Sequence, residues 1–364
     1  QKKEQRLYFK DIKRLHKNLK NACYNPLFLY CLEFAFYERG IVKFSELYDI
    51  YEIFVQKTIM GKFSDEKNPE NNAIKEIRDK YKFFLRKLAS EILIRNKRMD
   101  FDMEQIHEFY LDKNDNSYYI ENDKISIEIK NIASEILSDD IRNNISQTRL
   151  RENILSCYFL DCNANAWRIK DNNLLFFLVA EGYYEKLSSV LNKYIQFSQS
   201  LNFSGANTES EFYDELYQSF RFEKQIPLHP LSIEFLFQKI DNLTKTKKEF
   251  LWSFIKSLID DGEILKINAE NIKRLDITKL NIDIILLLIF KRINTVGYDE
   301  INLIFFFKRY YWFISAAKIV DRNYLFLAQR FFKQSNIKGV ELRRINFDGY
   351  NFDYSIFKNV HFIQ

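Results

Sequence analysis

The sequence predicts a mainly α-helical protein, and three observations carry that prediction. Its 364 residues include only 8 Gly and 4 Pro, too few turn-formers for a sandwich or barrel of many tight hairpins. Apolar residues make up 46% of the chain and recur mostly at helical spacing, with neighbours three, four and seven positions apart. Aromatic content reaches 16%, with 35 Phe and 22 Tyr, which is enough to fill a sizeable core and far above a disordered composition. The expected order is a helical domain, a helical unit with a small β-hairpin, an irregular helical bundle, and a fold of different periodicity at the C-terminus.

The elements follow in order. Leu7, Ile12, Leu15 and Leu19 share one face of a helix over residues 6–20, with Lys10, Lys13, Arg14, Lys17 and Lys20 around the other sides. In a lysine-rich chain that basic face reads as solvated in preference to phosphate-binding. Pro26 suits a first helical turn, and the buried helix it opens runs through Leu27, Leu29, Tyr30, Leu32, Phe34 and Phe36 to Gly40. A helix over Phe44–Thr58, capped by Ser45, leads into the polar, Pro69-containing linker Ser64–Asn72. Next comes a long amphipathic helix, Ala73–Arg95, whose apolar face is Ile74, Ile77, Tyr81, Phe84, Leu85, Leu88, Ile92 and Leu93. A shorter helix over Met103–Tyr110 and a third over Ile125–Leu137 precede two strands, Asn153–Leu160 and Ala166–Lys170, around the polar turn Asp161–Asn165. Helices followed by such a hairpin suggest a winged-helix unit. An apolar helix, Leu174–Leu191, and a polar segment, Asn202–Glu211, lead to a last block with helices at Leu231–Ile240, Glu249–Ile259, Ile282–Ile293, Asn302–Val320 and Asn323–Phe332. No repeat period unites that block, so an irregular bundle is expected.

The C-terminus changes period. Leu342, Phe347, Phe352, Phe357 and Phe362 recur every five residues, and neither a helix nor a strand places residues five apart on one face. A square solenoid does, if each five-residue unit forms one side and the central Phe or Leu points inward with the residue two before it, at 340, 345, 350, 355 and 360. This resembles the pentapeptide-repeat family, including its Asp or Asn before the central position, here Asn346 and Asn351. The large Ile345 and Tyr350 depart from the family's small residues at that position. The resemblance implies the first coil of a right-handed β-solenoid over residues 338–364.

A second resemblance covers residues 1 to about 190. Asn25-Pro26-Leu27 at the head of a buried helix, then the helix from Phe44, the linker, the helix from Ala73 and the hairpin followed by a helix together resemble the region after the nucleotide-binding core of NACHT and related STAND signal-transducing ATPases. In that family Asn-Pro-Leu opens the helical domain beside the nucleotide and the proline can lie against adenine, so Asn25, Pro26 and Leu27 are the implied cofactor-binding residues. The family's winged helix ends in a segment of aromatic, His and Glu positions before an apolar run. Here Ile169–Ala180 keeps the run, but Asp171 replaces the histidine and Phe176 the glutamate.

The chain contains no Gly-x-x-x-x-Gly-Lys-Ser/Thr loop. Its Gly61-Lys62 is followed by Phe63, and Gln56 stands where the first glycine would be, so phosphates cannot be cradled there. The implied arrangement is an ATPase core upstream of Gln1, with ATP or ADP and Mg held by that longer parent and no cofactor held by this chain alone. Gln rather than Met at position 1, and an end inside the repeat pattern, also predict a piece of a longer protein. No catalytic residue is assigned and no metal site is expected. His16, His107, His229 and His361 are far apart in sequence, without Cys or acidic residues at ligand spacing. Cys157 and Cys162 read as small buried thiols rather than a redox pair, and Asp139-Asp140 and Asp260-Asp261 fall at helix ends, where caps and turns explain them.

The net charge of +5 is a small difference between 55 basic and 50 acidic residues, which is not the balance of a nucleic-acid-binding domain. The interleaved Lys308-Arg309-Tyr310-Tyr311-Trp312 reads as a core helix with a solvated basic pair, in preference to a base-stacking or membrane-surface segment. Four Cys in so long a chain, with no signal peptide, point to a reducing cytoplasm. The longest apolar runs, Ile284–Phe290 and Ile301–Phe307, are about a third of a membrane span. The expected domains are a helical domain over 1–63, a winged-helix-like unit with its following helix over 73–190, a helical bundle over 191–335 and the solenoid start over 338–364. The expected function is regulatory coupling in a NACHT/STAND-type ATPase of prokaryotic antiviral defence or stress signalling. The expected partner is a protein, a phage- or stress-derived trigger included, or another copy of the chain. The alternatives are a non-enzymatic interaction scaffold and a winged-helix nucleic-acid-binding protein.

Overall fold

A computed structural model describes residues 28–33, 47–63, 72–95, 119–142, 155–157, 159–162, 165–199, 208–221, 230–260, 277–294, 336–338, 341–343, 356–358 and 361–363. The expected helices over 6–20, 103–110, 302–320 and 323–332, and the aromatic and basic run 308–312, lie outside these residues. The described part is mainly helical, as expected, with one three-stranded antiparallel sheet and two parallel strand pairs. The chain divides into two compact units, Gln1–Tyr184 and Glu185–Gln364.

In the first unit the helical residues 28–33 precede α1 (Leu47–Lys62) and α2 (Asn72–Arg95). All eight apolar positions named on α2 are buried, from Ile74 to Leu93, because their three- and four-residue spacing puts them on one side of the helix. The other side holds charges, and Lys80 there meets Asp139 at 2.6 Å and Glu76 at 3.3 Å. A short strand, β1 (Tyr119–Glu121), and a 3-10 turn (Asn122–Lys124) then lead to α3 (Ile127–Arg142). Ser126 begins α3 as a cap: its Oγ accepts the Ile129 N–H at 3.4 Å, and its own N–H donates to Glu91 at 2.9 Å. Ile129, Ala133, Ile136 and Leu137 form the buried stripe of α3.

The hairpin is β2 (Leu160–Cys162) and β3 (Ala166–Ile169), and β1 joins it to give the strand order β1-β3-β2. The register sets Ile120 and Cys162 on either side of Trp167, with Leu160 opposite Ile169. The first hairpin strand thus starts later than the expected Asn153–Leu160. Leu155 is helical and Cys157 makes only an isolated bridge to Leu160, because the backbone around it is committed to side chains from α1 and α2. Along β3 the burial alternates, with Trp167 and Ile169 inside and Arg168 exposed, as a half-buried strand requires. Aromatic rings tie the unit together: Phe63 packs on Tyr81 at 5.1 Å, Tyr81 on Phe84 at 5.7 Å, and Phe84 on Trp167 at 5.7 Å.

Helix α4 (Asn172–Gln199) is longer at both ends than the expected Leu174–Leu191. Its residues up to Tyr184 belong to the first unit, and those from Glu185 to the second. Leu174 to Ala180 are seven consecutive buried residues, so that stretch is enclosed on all sides. Beyond it Tyr183, Leu187, Val190, Leu191 and Tyr194 are buried, the narrower stripe of an amphipathic helix.

The second unit continues with α5 (Thr208–Arg221), α6 (Pro230–Asp241), α7 (Lys245–Asp260) and α8 (Ile277–Asn294). On α7 the buried set Leu251, Phe254, Ile255 and Leu258 is a single helical stripe, whereas α8 buries Ile285 through Phe290 without a gap. Tyr194 contacts both Phe212 at 5.7 Å and Phe254 at 5.1 Å, tying α4, α5 and α7 into one core. Arg292 forms a forked pair with Asp241, at 2.7 Å and 3.2 Å, linking the ends of α6 and α8.

The C-terminal strands are β4 (Asn336–Lys338), β5 (Glu341–Arg343), β6 (Ile356–Lys358) and β7 (His361–Ile363). β4 pairs in parallel with β6, and β5 with β7. Both registers join residues twenty positions apart: Ile337 faces Phe357, and Leu342 faces Phe362. Among the described residues, no helix is long and apolar enough to cross a membrane.

Candidate functional site

Asn25, Pro26 and Leu27 lie outside the described residues, but the helical turn directly after them is placed. Phe28, Cys31 and Leu32 are buried, with Phe28 against Tyr51 of α1 at 5.8 Å. Tyr30, on the opposite side, stands edge-on to Phe54 at 5.9 Å. The stretch that begins two residues after Pro26 is therefore fastened to α1 on two sides.

It is also close to the start of α4. Asp171 is 4% exposed, and its Oδ1 accepts the Leu174 N–H at 2.7 Å. An aspartate here satisfies an otherwise free N–H of the first turn and places its charge at the positive end of the helix dipole. Those two effects offset the cost of burying a carboxylate. Burial raises the Cys31 thiol above its ordinary range, and the nearby Asp171 charge raises it further. Cys31 is accordingly a neutral packing group. Phe176, which follows Asp171 in the first turns of α4, is wholly buried.

One turn further along α4, the Tyr48 hydroxyl donates a short hydrogen bond to Glu181, and a Glu52 oxygen lies 3.4 Å away. Burial, and then the Glu181 and Glu52 charges, hold the phenol protonated far above its ordinary range, so it keeps the proton it donates. The rings of Tyr48 and Tyr51 both meet Phe177, at 5.2 Å and 6.0 Å. The head of α4 is thus gripped by Asp171 at its cap, by Phe177 one turn in, and by Glu181 a turn beyond.

A second cluster holds the root of the hairpin. Lys62, the last residue of α1, donates from Nζ to the Ser156 carbonyl and sits 5.7 Å from the ring centres of Phe63 and Tyr81. The Tyr81 hydroxyl donates to the Leu155 carbonyl at 2.6 Å. Ser156 Oγ accepts the Cys162 N–H at 2.9 Å. Cys157 and Cys162 are free thiols. Burial raises both, and the opposing pull of Lys62 is too weak to reverse that.

No family model, no curated protein and no solved structure matches this chain.

The chemistry these groups support is therefore read from geometry. Cys31, Tyr48, Tyr81, Cys157 and Cys162 are all held in their protonated forms by burial, the opposite of what an activated nucleophile needs. Among the described residues, no group of three or more His, Cys, Asp or Glu side chains is arranged to hold a metal ion. The polar atoms are used to lock one element against another. Of the residues singled out in the sequence, Asp171 joins this seam directly, while Cys157 and Cys162 belong to the hairpin root. Tyr48, Glu181, Lys62 and Ser156 carried no sequence signal, because their contacts span 133 and 94 positions of the chain.

Proposed function

We propose that this chain is the regulatory and sensor-coupling region of a NACHT/STAND-type ATPase, serving prokaryotic antiviral defence or stress signalling. It acts in the cytoplasm through nucleotide- and partner-dependent conformational change and oligomerisation. The observation that carries the reading is the order α2, β1, α3, β2, β3 with β1 pairing against β3. A helix, a short strand, a helix and a hairpin paired with that early strand support a winged-helix reading, and the buried start of α4 after them is consistent with the resemblance.

Two further observations support it. The helical turn after Asn25-Pro26-Leu27 packs on α1 and lies beside the cap of α4, so a displacement at Pro26 has a short route to the helix after the winged unit. The twenty-residue spacing of both parallel strand pairs equals four five-residue units, one full turn of a four-sided solenoid of the pentapeptide-repeat kind. In this reading ATP or ADP with Mg is held by the upstream domain, and Asn25, Pro26 and Leu27 adjoin it. The nucleotide supplies the energy difference between two states; this chain's residues hold or release α4. The partner is a protein, either the trigger or another copy. Glu128 and Glu135 on the exposed side of α3 disfavour nucleic acid.

The test is the mass of the native polypeptide together with the encoded sequence ahead of Gln1. A mass above 44.1 kDa and a Walker-type loop upstream are expected. A polypeptide that begins at Gln1, or an upstream region without such a loop, overturns the ATPase reading and leaves an interaction scaffold built on the bundle and solenoid.

A further inference from the structure

We draw no further inference here: the strongest candidate, the exposed side chains Phe83 and Ile127 beside the Lys87–Glu128 ion pair on the α2–α3 surface, has nothing in the structure to show what covers it.

Discussion

The two units bury polar groups in different ways. In the first, Tyr48 and Glu181, Tyr81 and the Leu155 carbonyl, and Lys62 and the Ser156 carbonyl each bind one element to another through a directed bond, and Asp171 caps the start of α4. In the second, the described core is mostly a contact of Leu, Ile and Phe stripes. Its buried polar side chains are Asp283, which accepts a short hydrogen bond from Tyr213, and Ser232, whose hydroxyl has no hydrogen-bond partner. Directed bonds select one arrangement among several that bury similar apolar area, whereas apolar stripes tolerate repacking. The unit proposed to respond to nucleotide is therefore the one whose helix positions are most narrowly specified.

The largest effect that breaks this comparison is apolar. Phe84 is fully buried between Tyr81 and Trp167, so Phe84→Ala is expected to cost about 3–5 kcal/mol in urea-induced unfolding. A loss under about 1 kcal/mol would mean that the ring stack does not organise the first unit. Next in size is Tyr213→Phe, which removes a buried donor from Asp283 and is expected to cost about 1.5–3 kcal/mol. Combining it with Asp283→Asn should give less than the sum of the two single losses. Strict additivity in that thermodynamic cycle would show that the two groups are not coupled.

Asp171→Ala should destabilise by about 0.5–2 kcal/mol, toward the upper part of that range because the cap is buried. Asp171→Asn should recover most of the loss, since an amide oxygen can still accept the Leu174 N–H. Equal losses in both variants, measured by thermal unfolding, would point to the charge rather than the cap. The smallest effect belongs to Ser232→Ala. With no partner to lose, the variant should match the parent or gain up to about 1 kcal/mol. A clear loss would instead reveal an ordered water on that hydroxyl.

Parts of this architecture were legible residue by residue. The face of α2 was named correctly from its spacing because eight large apolar side chains on one helical stripe can be buried in only one orientation. The Asp171 cap also had a local signal: an acidic residue just before Asn172 and an apolar run is a helix-start pattern. The hairpin was found, but its first strand was set too early. Ile154 to Leu160 is an apolar run that local periodicity cannot assign to strand or helix, and the tertiary bonds of Tyr81 and Lys62 to that backbone decide the matter. β1 left no local trace, since three residues, Tyr119 to Glu121, become a strand only because Ile120 finds Trp167 across the sheet.

The sequence by itself determined the helical class, the buried faces of the long helices, the place of the hairpin and the five-residue period at the C-terminus. Each of these depends on side-chain spacing along the chain, and spacing is a local property. Only the tertiary structure decided that Tyr48 meets Glu181, that Lys62 holds the hairpin root and that β4 pairs with β6 twenty residues on. Those contacts form when distant segments are brought together by burial of their apolar faces, and a hydrogen bond between groups far apart in sequence leaves no periodic mark on either side.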